Sequence, residues 1–589
     1  MHLNPRLAGV AWPLALGAVV VYGALLRLDA ISVKFDPVAA PRWLHRVEVW
    51  RAGTDALRPA GMRWDAYQRF VHKDGPPSQY RSDPYTYLQY AREMRSFYAA
   101  HRREPLFPLA TKIWLWLLHD HDTAVSFASA GFSILTIVLT FALGREAFSP
   151  PVGFLAALLW AVESAVVDSG TEGWRDDAFA SAVVLTTWLV LRFSRRPEWR
   201  RAIALGAAAG AACLIRITAL SFIVPCLMYL SLTIALPWRD RLRMIAIAGG
   251  VVVIVAGPFV VNCWRAYGDP LYAINVHADV YRATEGTSGP AASAGGYIAS
   301  HLRQRPVETI DTFVLGLTQY PFANKWHGFD VWHARLGMAL SVSACIGLFL
   351  FTAVPAGRLI LVVLVTSLVP YAATWRLIYD WRFTEIAYPF YLIAAASPVW
   401  FVSRAFRDRG RVLRDWQRVR PAVTAMGIAA VAAGLTWLIF WRVTPPFLFA
   451  NALRAGEPAT IMAGDRDAAF FTGDWPRLVR SGAIATRVAP GARATVVVPL
   501  PAAADYDALM RIDPSTEPMR VGAAPARIQL LVNGRFVGAC DPGSTADRVG
   551  ICRVTLTADA VRAGANRLTV VTDLPNGFRL WYLRLVPHR

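Results

Sequence analysis

The sequence predicts a polytopic α-helical membrane protein that ends in an all-β domain, and three observations carry that prediction. Of the 589 residues, 55% are hydrophobic and 17% charged, against roughly 25% charged in soluble domains, and the mean hydropathy is +0.36. Apolar runs long enough to cross about 30 Å of hydrocarbon recur along residues 1–442. From residue 443 onward, strand-length runs alternate with Gly, Pro, Asp and Asn at about 8–12-residue intervals.

The spans are expected near residues 7–26, 124–144, 152–168, 178–193, 202–218, 219–236, 244–262, 335–353, 359–375, 386–402 and 422–442, about eleven in all. The first run is long for a signal-peptide core and is read as a retained helix. "PLFPLATKIWLWLLH" (105–119) is short and Pro-interrupted, which places it on the membrane surface. With it there, "GREAFSPP", "RFSRRPEWRR", "PWRDRLRM", "VPAGR" and the arginine-rich 403–420 segment all face the cytoplasm, as the retention of Lys and Arg requires. The N-terminus is then inside, and residues 27–123, 263–334 and 443–589 lie outside. The formal charge of +20 is thus read as topology and contact with membrane lipids, and no nucleic-acid partner is expected. The expected location is the inner membrane of a bacterium, with a periplasmic or extracellular tail.

In the tail, "RATVVVPL", "ARIQLLVNGRFVGAC", "CRVTLTA", "NRLTVVTDL" and "FRLWYLRLVP" read as strands of a β-sandwich or jelly roll, with Asn533-Gly534 as a tight hairpin turn. Cys540 and Cys552 flank an 11-residue loop and outside the cytoplasm would be oxidised to a disulfide. Cys213, Cys226, Cys263 and Cys345 sit in or beside apolar runs and read as small buried hydrophobes.

Residues 82–98, "SDPYTYLQYAREMRSFY", place Tyr87, Tyr90, Ala91, Met94, Phe97 and Tyr98 on one helical face, so an amphipathic surface helix is expected. Asp83 precedes Pro84 and reads first as its N-cap. The arrangement around it resembles the GT-C class of polyprenyl-phosphate-sugar-dependent glycosyltransferases, the protein mannosyltransferase-like and aminoarabinose transferase-like families. The matching features are Asp83 in the first external loop, the helix "YTYLQYAREM", and Glu104-Pro105 opening a second surface helix in "REPLFPLATKIW". They continue with the Gly-Arg turn of "LTFALGREAFSPP", the loop-opening "GPFVVNCWRAYGDPLY" and the late "DWRFTEIAYPFYLIAAA". Many relatives have two adjacent acidic residues where this chain has Asp83-Pro84, and residues 35–80 look like an insertion. The resemblance implies a GT-C-like domain over residues 1–442, a polyprenyl-phosphate-linked sugar donor, and a glycan, lipid or protein acceptor.

Such a transfer needs a base for the acceptor proton and cations for the departing phosphate. The resemblance makes Asp83 the base, its pKa moved by partial burial beside lipid. Arg382 and Arg216 are candidates for the donor phosphate, against simpler readings in which Arg382 pairs with Asp380 or Glu385 and Arg216 snorkels. Glu172, Arg175, Asp176 and Asp177 form a charged turn suited to acceptor positioning or to a divalent cation such as Mg, Mn or Ca, although helix-dipole capping accounts for one of the aspartates. No ligand spacing is diagnostic, so the metal stays open. His101, Arg103 and Glu104 at the joint of the two surface helices, with Glu385, are secondary candidates. The tail resembles carbohydrate-binding-type sandwiches and reads equally as a structural cap. A transporter or flippase, the competing class, predicts charges deep within several spans and paired interrupted helices; the acidic residues here fall in external turns, and no internal repeat is evident.

Overall fold

The computed structural model describes residues 5–34, 82–285, 293–318, 331–374, 382–407 and 444–588, save 463–466, 468–469, 474–485, 489–490, 492, 515–527, 541–549 and 573–577. It divides into two compact units, one comprising Met1–Phe322 with Phe329–Phe406 and the other Ala323–Gly328 with Arg407–Arg589.

The first unit is all-helical among its described residues. Among the described residues five helices are long and apolar enough to cross a membrane: α1 (Pro5–Lys34), α4 (Ala124–Ala147), α7 (Asp176–Arg195), α10 (Trp238–Tyr267) and α15 (Pro355–Ala372). Between them run α2 (Ser82–Glu93), α3 (Leu106–Leu117), α5 (Pro150–Val162), α6 (Ser164–Ser169), α8 (Trp199–Ile215) and α9 (Leu220–Thr233). After α10 come α11 (Tyr272–Glu285), α12 (Ala294–Gln304), α13 (Pro306–Thr318) and α14 (Val331–Phe351), and α15 is followed by α16 (Arg382–Glu385) and α17 (Tyr388–Arg407). The run at 105–119 forms the 12-residue α3, which at 1.5 Å per residue is about 18 Å long and too short to span.

Eleven continuous spans are not what the described residues show. The run expected at 152–168 breaks at Glu163, whose backbone is extended (φ −68°, ψ 119°), into α5 and α6. The boundary between the runs at 202–218 and 219–236 falls at Arg216, also extended (φ −157°, ψ 112°), followed by one 3₁₀ turn at Ile217–Ala219. The run at 422–442 lies outside the described residues. Hydropathy reports the average polarity of a window and is blind to a single residue turned out of helical geometry.

The hairpin of α4 and α5 shows how tightly the helices pack. Pro150 and Pro151 open α5, where a missing N–H leaves no helical bond unmade. Gly144 then meets Gly153 so closely that a Cβ on Gly153 would overlap the Phe141 carbonyl and lie 2.7 Å from the Arg145 amide.

Among its described residues the second unit is a sandwich of two antiparallel five-stranded sheets preceded by α18 (Thr444–Arg454). One sheet orders β1 (Ala459–Met462), β10 (Phe578–Pro587), β5 (Tyr506–Pro514) and β8 (Gly550–Leu556), with β3 (Thr486–Val488) also pairing β10. The other orders β2 (Phe471–Gly473), β4 (Ala494–Leu500), β9 (Gly564–Thr572), β6 (Ile528–Val532) and β7 (Arg535–Cys540). Alternate residues such as Val496, Val498, Leu530 and Leu568 from one sheet and Ala508, Met510, Leu583 and Leu585 from the other share one buried cluster. Asn533 and Gly534 turn the β6–β7 hairpin with φ of 52° and 89°, the pair of positive φ values that a two-residue type I′ turn requires. Cys540 and Cys552 are joined by a disulfide with Cα atoms 5.7 Å apart.

The α4–α5 contact yields a test. Gly153→Ala forces backbone to yield rather than a flexible side chain, so it should destabilise the protein by about 1–3 kcal/mol. Thermal unfolding in detergent measures this, and an unshifted midpoint would show that the two helices are not packed backbone to backbone.

Candidate active site

Two short helices, α2 and α3, position the central carboxylate. Helix α2 turns Tyr87, Leu88 and Ala91 inward, and Met94 just past its end is buried as well, with Tyr87 edge-on to Phe107 of α3 at 5.2 Å. At its far end Arg92 bonds Asp120 at 2.9 Å and Asp122 at 2.8 Å, pinning the helix. The helix stops at Glu93 and begins at Ser82, so Asp83 lies in its first turn rather than before it.

The joint between α2 and α3 aims Arg103 at Asp83. The backbone N–H of Arg103 donates to His101 Nδ1 at 3.1 Å, and the His101 ring stacks on Tyr90 with centroids 3.7 Å apart. Arg103 Nη2 then donates to Asp83 Oδ1. Arg382 Nη1 stands 3.8 Å from Asp83 Oδ2, its guanidinium laid on the Trp174 indole at 3.9 Å from the centroid. Arg103 Nη1 also lies 3.2 Å from His277 Nε2 of α11; a guanidinium only donates, so Nε2 accepts.

The electrostatics follow from these contacts. Burial alone would raise the Asp83 pKa, but Arg103, then Arg382, Arg175 and His277 outweigh it and hold the carboxyl below its ordinary value. Sequence reasoning looked to burial beside lipid to tune this group; the cations around it set the direction instead. His277 is lowered to about 4 by burial and then by Arg103 and Arg175. His101 is lowered to about 4 by burial and then by Arg102. At neutral pH the site is therefore an ionised Asp83 with neutral imidazoles.

Beneath it lies a layer of buried pairs. Glu104, whose side chain is 1% exposed, receives Arg175 Nη1 on Oε2 and the Ile217 N–H on Oε1 at 2.8 Å. Arg216 meets Asp176 Oδ1 at 3.0 Å and donates to the Tyr371 hydroxyl at 2.8 Å. Both Arg103 and Arg175 lie against the Tyr87 ring, at 5.6 and 5.7 Å from its centroid. Deeper still, Ser129 Oγ donates to Asp177 Oδ2 at 3.1 Å, and Ser169 Oγ donates to Glu385 Oε2 at 3.0 Å. Burial and then the carboxylates of Asp177 and Asp176 push Glu385 well above the usual carboxylate range.

The structure thus brings Asp83, Arg103, Arg382 and His277 together. It sends the charged turn in four directions: Glu172 accepts from Trp174 Nε1 at 2.6 Å, Arg175 goes to Glu104, Asp176 to Arg216 and Asp177 to Ser129. Neither aspartate remains in an exposed turn, because α7 starts at Asp176 and both are fully buried. Among the described residues no group of three or more His, Cys, Asp or Glu is placed to hold a metal ion. Arg216 does not snorkel; it is 6% exposed and tied to two partners. Arg382 reaches Asp83 rather than Glu385, and Asp380 lies outside the described residues.

Sequence reasoning missed His277, Trp174 and Arg27. Arg27, fully buried in α1, donates to Ser133 Oγ at 2.8 Å and to the Gly23 and Ala161 carbonyls at 3.0 and 3.3 Å. Its signal was present, since α1 continues through Lys34 and an arginine inside a span demands a partner. His277 and Trp174 carry no local pattern; only the fold brings them to the site.

Residues 102–264 match the model of the dolichyl-phosphate-mannose-protein mannosyltransferase family. A comparison with curated proteins finds no match. Among solved structures, the apo oligosaccharyltransferase of Archaeoglobus fulgidus is 16% identical with a TM-score of 0.38, covering 72% of this chain and 55% of that one. The archaeal oligosaccharyltransferase AglB of the same organism, in complex with an inhibitory peptide and a dolichol-phosphate, is 15% identical with a TM-score of 0.34, covering 72% and 55%. ArnT from Cupriavidus metallidurans is 15% identical with a TM-score of 0.26, covering 56% and 75%. The chain spans about half the length of the archaeal enzyme it resembles. Over residues 102–264, from Glu104 through the charged turn to α10, the chain is similar to the GT-C-class mannosyltransferase family that its motifs resemble.

Proposed function

We propose that the protein is a membrane glycosyltransferase that moves a sugar from a polyprenyl-phosphate donor to a hydroxyl of a glycan, lipid or protein acceptor on the extracytoplasmic side. The observation that carries this reading is the ionised Asp83 set between Arg103 and Arg382, beside the segment that matches the family. Asp83 takes the proton of the acceptor hydroxyl, whose oxygen attacks the anomeric carbon. The bond from that carbon to the donor phosphate breaks, and the phosphate leaves with both electrons toward Arg382. One displacement inverts the anomeric configuration.

The geometry favours Arg382 over Arg216 as the phosphate ligand, because Arg216 is already committed to Asp176 and Tyr371. It also couples the two halves of the reaction. A donor phosphate that draws Arg382 away from Asp83 Oδ2 removes one of the cations that depress the carboxylate, so donor binding strengthens the base. A lipid-linked carrier is the second reading, favoured by the charges of Arg27, Asp177 and Glu385 buried among the helices. Proteoliposome uptake of a lipid-linked sugar without cleavage would support that reading.

The decisive assay incubates purified protein with a panel of radiolabelled polyprenyl-phosphate sugars. Asp83→Asn should lower transfer by at least about a hundredfold, the usual contribution of a general base, at an unchanged unfolding midpoint; near-normal transfer would remove the assignment. Arg382→Ala should raise the donor KM by about tenfold or more, and an unchanged KM would count against it. The folded-state pKa of Asp83 is depressed, so its base form persists through neutral pH and is lost only as pH falls below the ordinary Asp value of about 3.9. The pH profile of kcat/KM should show no acid limb from Asp83 between about pH 5 and 7. By the same sign, its ion pairs stabilise the fold at neutral pH and weaken as pH falls through that pKa.

A further inference from the structure

Helix α16 has four residues, Arg382–Glu385, too few to stand by their own backbone bonds. Its two charged ends do not pair with each other. Arg382 reaches Asp83 and lies on Trp174, while Glu385, fully buried, turns the other way to Ser169 and Asp177. The segment 169–177 therefore grips both ends of α16, holding Glu385 by Ser169 and Asp177 and supporting the Arg382 guanidinium by Trp174.

The contact between Glu385 and Asp177 poses a charge problem that the geometry resolves. Glu385 Oε1 is enclosed and receives no hydrogen bond from a protein donor, while Asp177 is bonded by the Ser129 and Ser133 hydroxyls. Two carboxylates in contact away from water cannot both be ionised. The groups facing them confirm the count. From α1 comes Arg27, whose field reaches both carboxyls; from α4 come the Ser129 and Ser133 hydroxyls to Asp177, and from α6 comes the Ser169 hydroxyl to Glu385. Asp176, the third carboxylate nearby, is matched by Arg216. One cation against two carboxyls leaves room for one negative charge and one proton.

We propose that Glu385 is a neutral carboxylic acid donating its proton to Asp177, and that this bond makes it the positioning residue that fixes Arg382 beside Asp83. The direction of the Glu385 shift agrees, burial being its largest cause. A neutral donor suits the task because Glu385 then contributes a hydrogen bond and adds no second anion close to Arg382.

The kinetic arm of the test rests on the transferase reading; the spectroscopic arm does not. Infrared difference spectra of the purified full-length protein at neutral pH, wild type minus Glu385→Gln, should show the carbonyl stretch of a protonated carboxylic acid. Absence of that band would overturn the proposal whether or not any sugar is transferred. In the transfer assay, Glu385→Ala should raise the donor KM by about tenfold with a smaller change in kcat. Glu385→Gln, which keeps a donor of the same shape, should recover donor binding to within about threefold of wild type. A Gln variant as impaired as the Ala variant would show that the charge of Glu385 is what matters and would overturn the proposal. Should the Ala variant fail to fold, the isosteric Gln variant still decides both arms. Complete inactivity of the wild-type protein on every donor, with the infrared band present, would overturn the transferase reading and leave the bond established.

Discussion

The low dielectric of a helical membrane bundle is the constraint on which the rest of this structure depends. An ion in such surroundings loses several kcal/mol of hydration unless it is paired and hydrogen-bonded. The first unit answers with a ladder of alternating charge: Asp83 with Arg103 and Arg382, Glu104 with Arg175, Asp176 with Arg216, and Asp177 and Glu385 with Arg27. Each rung joins segments distant in sequence, so the ladder ties α1, α2, α7 and α16 into one arrangement. Aromatic faces fill the gaps between rungs, Tyr87 against two guanidiniums and Trp174 against a third.

Within the ladder, exposure separates chemistry from support. The side chain of Asp83 is 24% exposed, whereas those of Glu104 and Asp176 are 1% exposed. In the proposed reaction the more exposed top rung is the one that meets the substrate hydroxyl and phosphate, and the lower rungs set where its three charged groups stand. That gradient explains why several strongly charged positions in one short stretch of sequence contribute so unequally to the proposed reaction.

The legibility of the sequence followed the range of the interactions. Apolar windows located the helices, Asn533-Gly534 located a hairpin, and strand-length alternation located β4 and β6 to β10, because each signal lies within ten residues or so of chain. Strand β5, "YDALMRIDP", was missed because Ala508, Leu509 and Met510 are apolar in succession and interrupt the alternation, and β1 to β3 have only three or four residues each. The break at Glu163 was missed because hydropathy averages over it, whereas the boundary expected between 218 and 219 lies within a few residues of the break at Arg216. At the site, Asp83 stood out through motif resemblance, but its ionisation is set by residues 20 to about 300 positions away, which no local pattern encodes. The 172–177 cluster shows the same limit: four neighbouring charges look like one group in sequence, while the fold gives each a different partner.

Glu104 closes a gap of another kind. One of its oxygens holds Arg175 and the other receives the amide of Ile217, at the point where the backbone leaves helical geometry between α8 and α9. A buried peptide group released from a helix must find an acceptor, and here the acceptor is borrowed from the buried joint between α2 and α3, more than a hundred residues earlier. The kink and the joint are therefore not independently variable. A substitution at position 104 disturbs the bend between α8 and α9 as well as an ion pair, so evolution would have to change joint, turn and bend in concert, and a chimera exchanging the α2–α3 segment alone would inherit a bend with no acceptor.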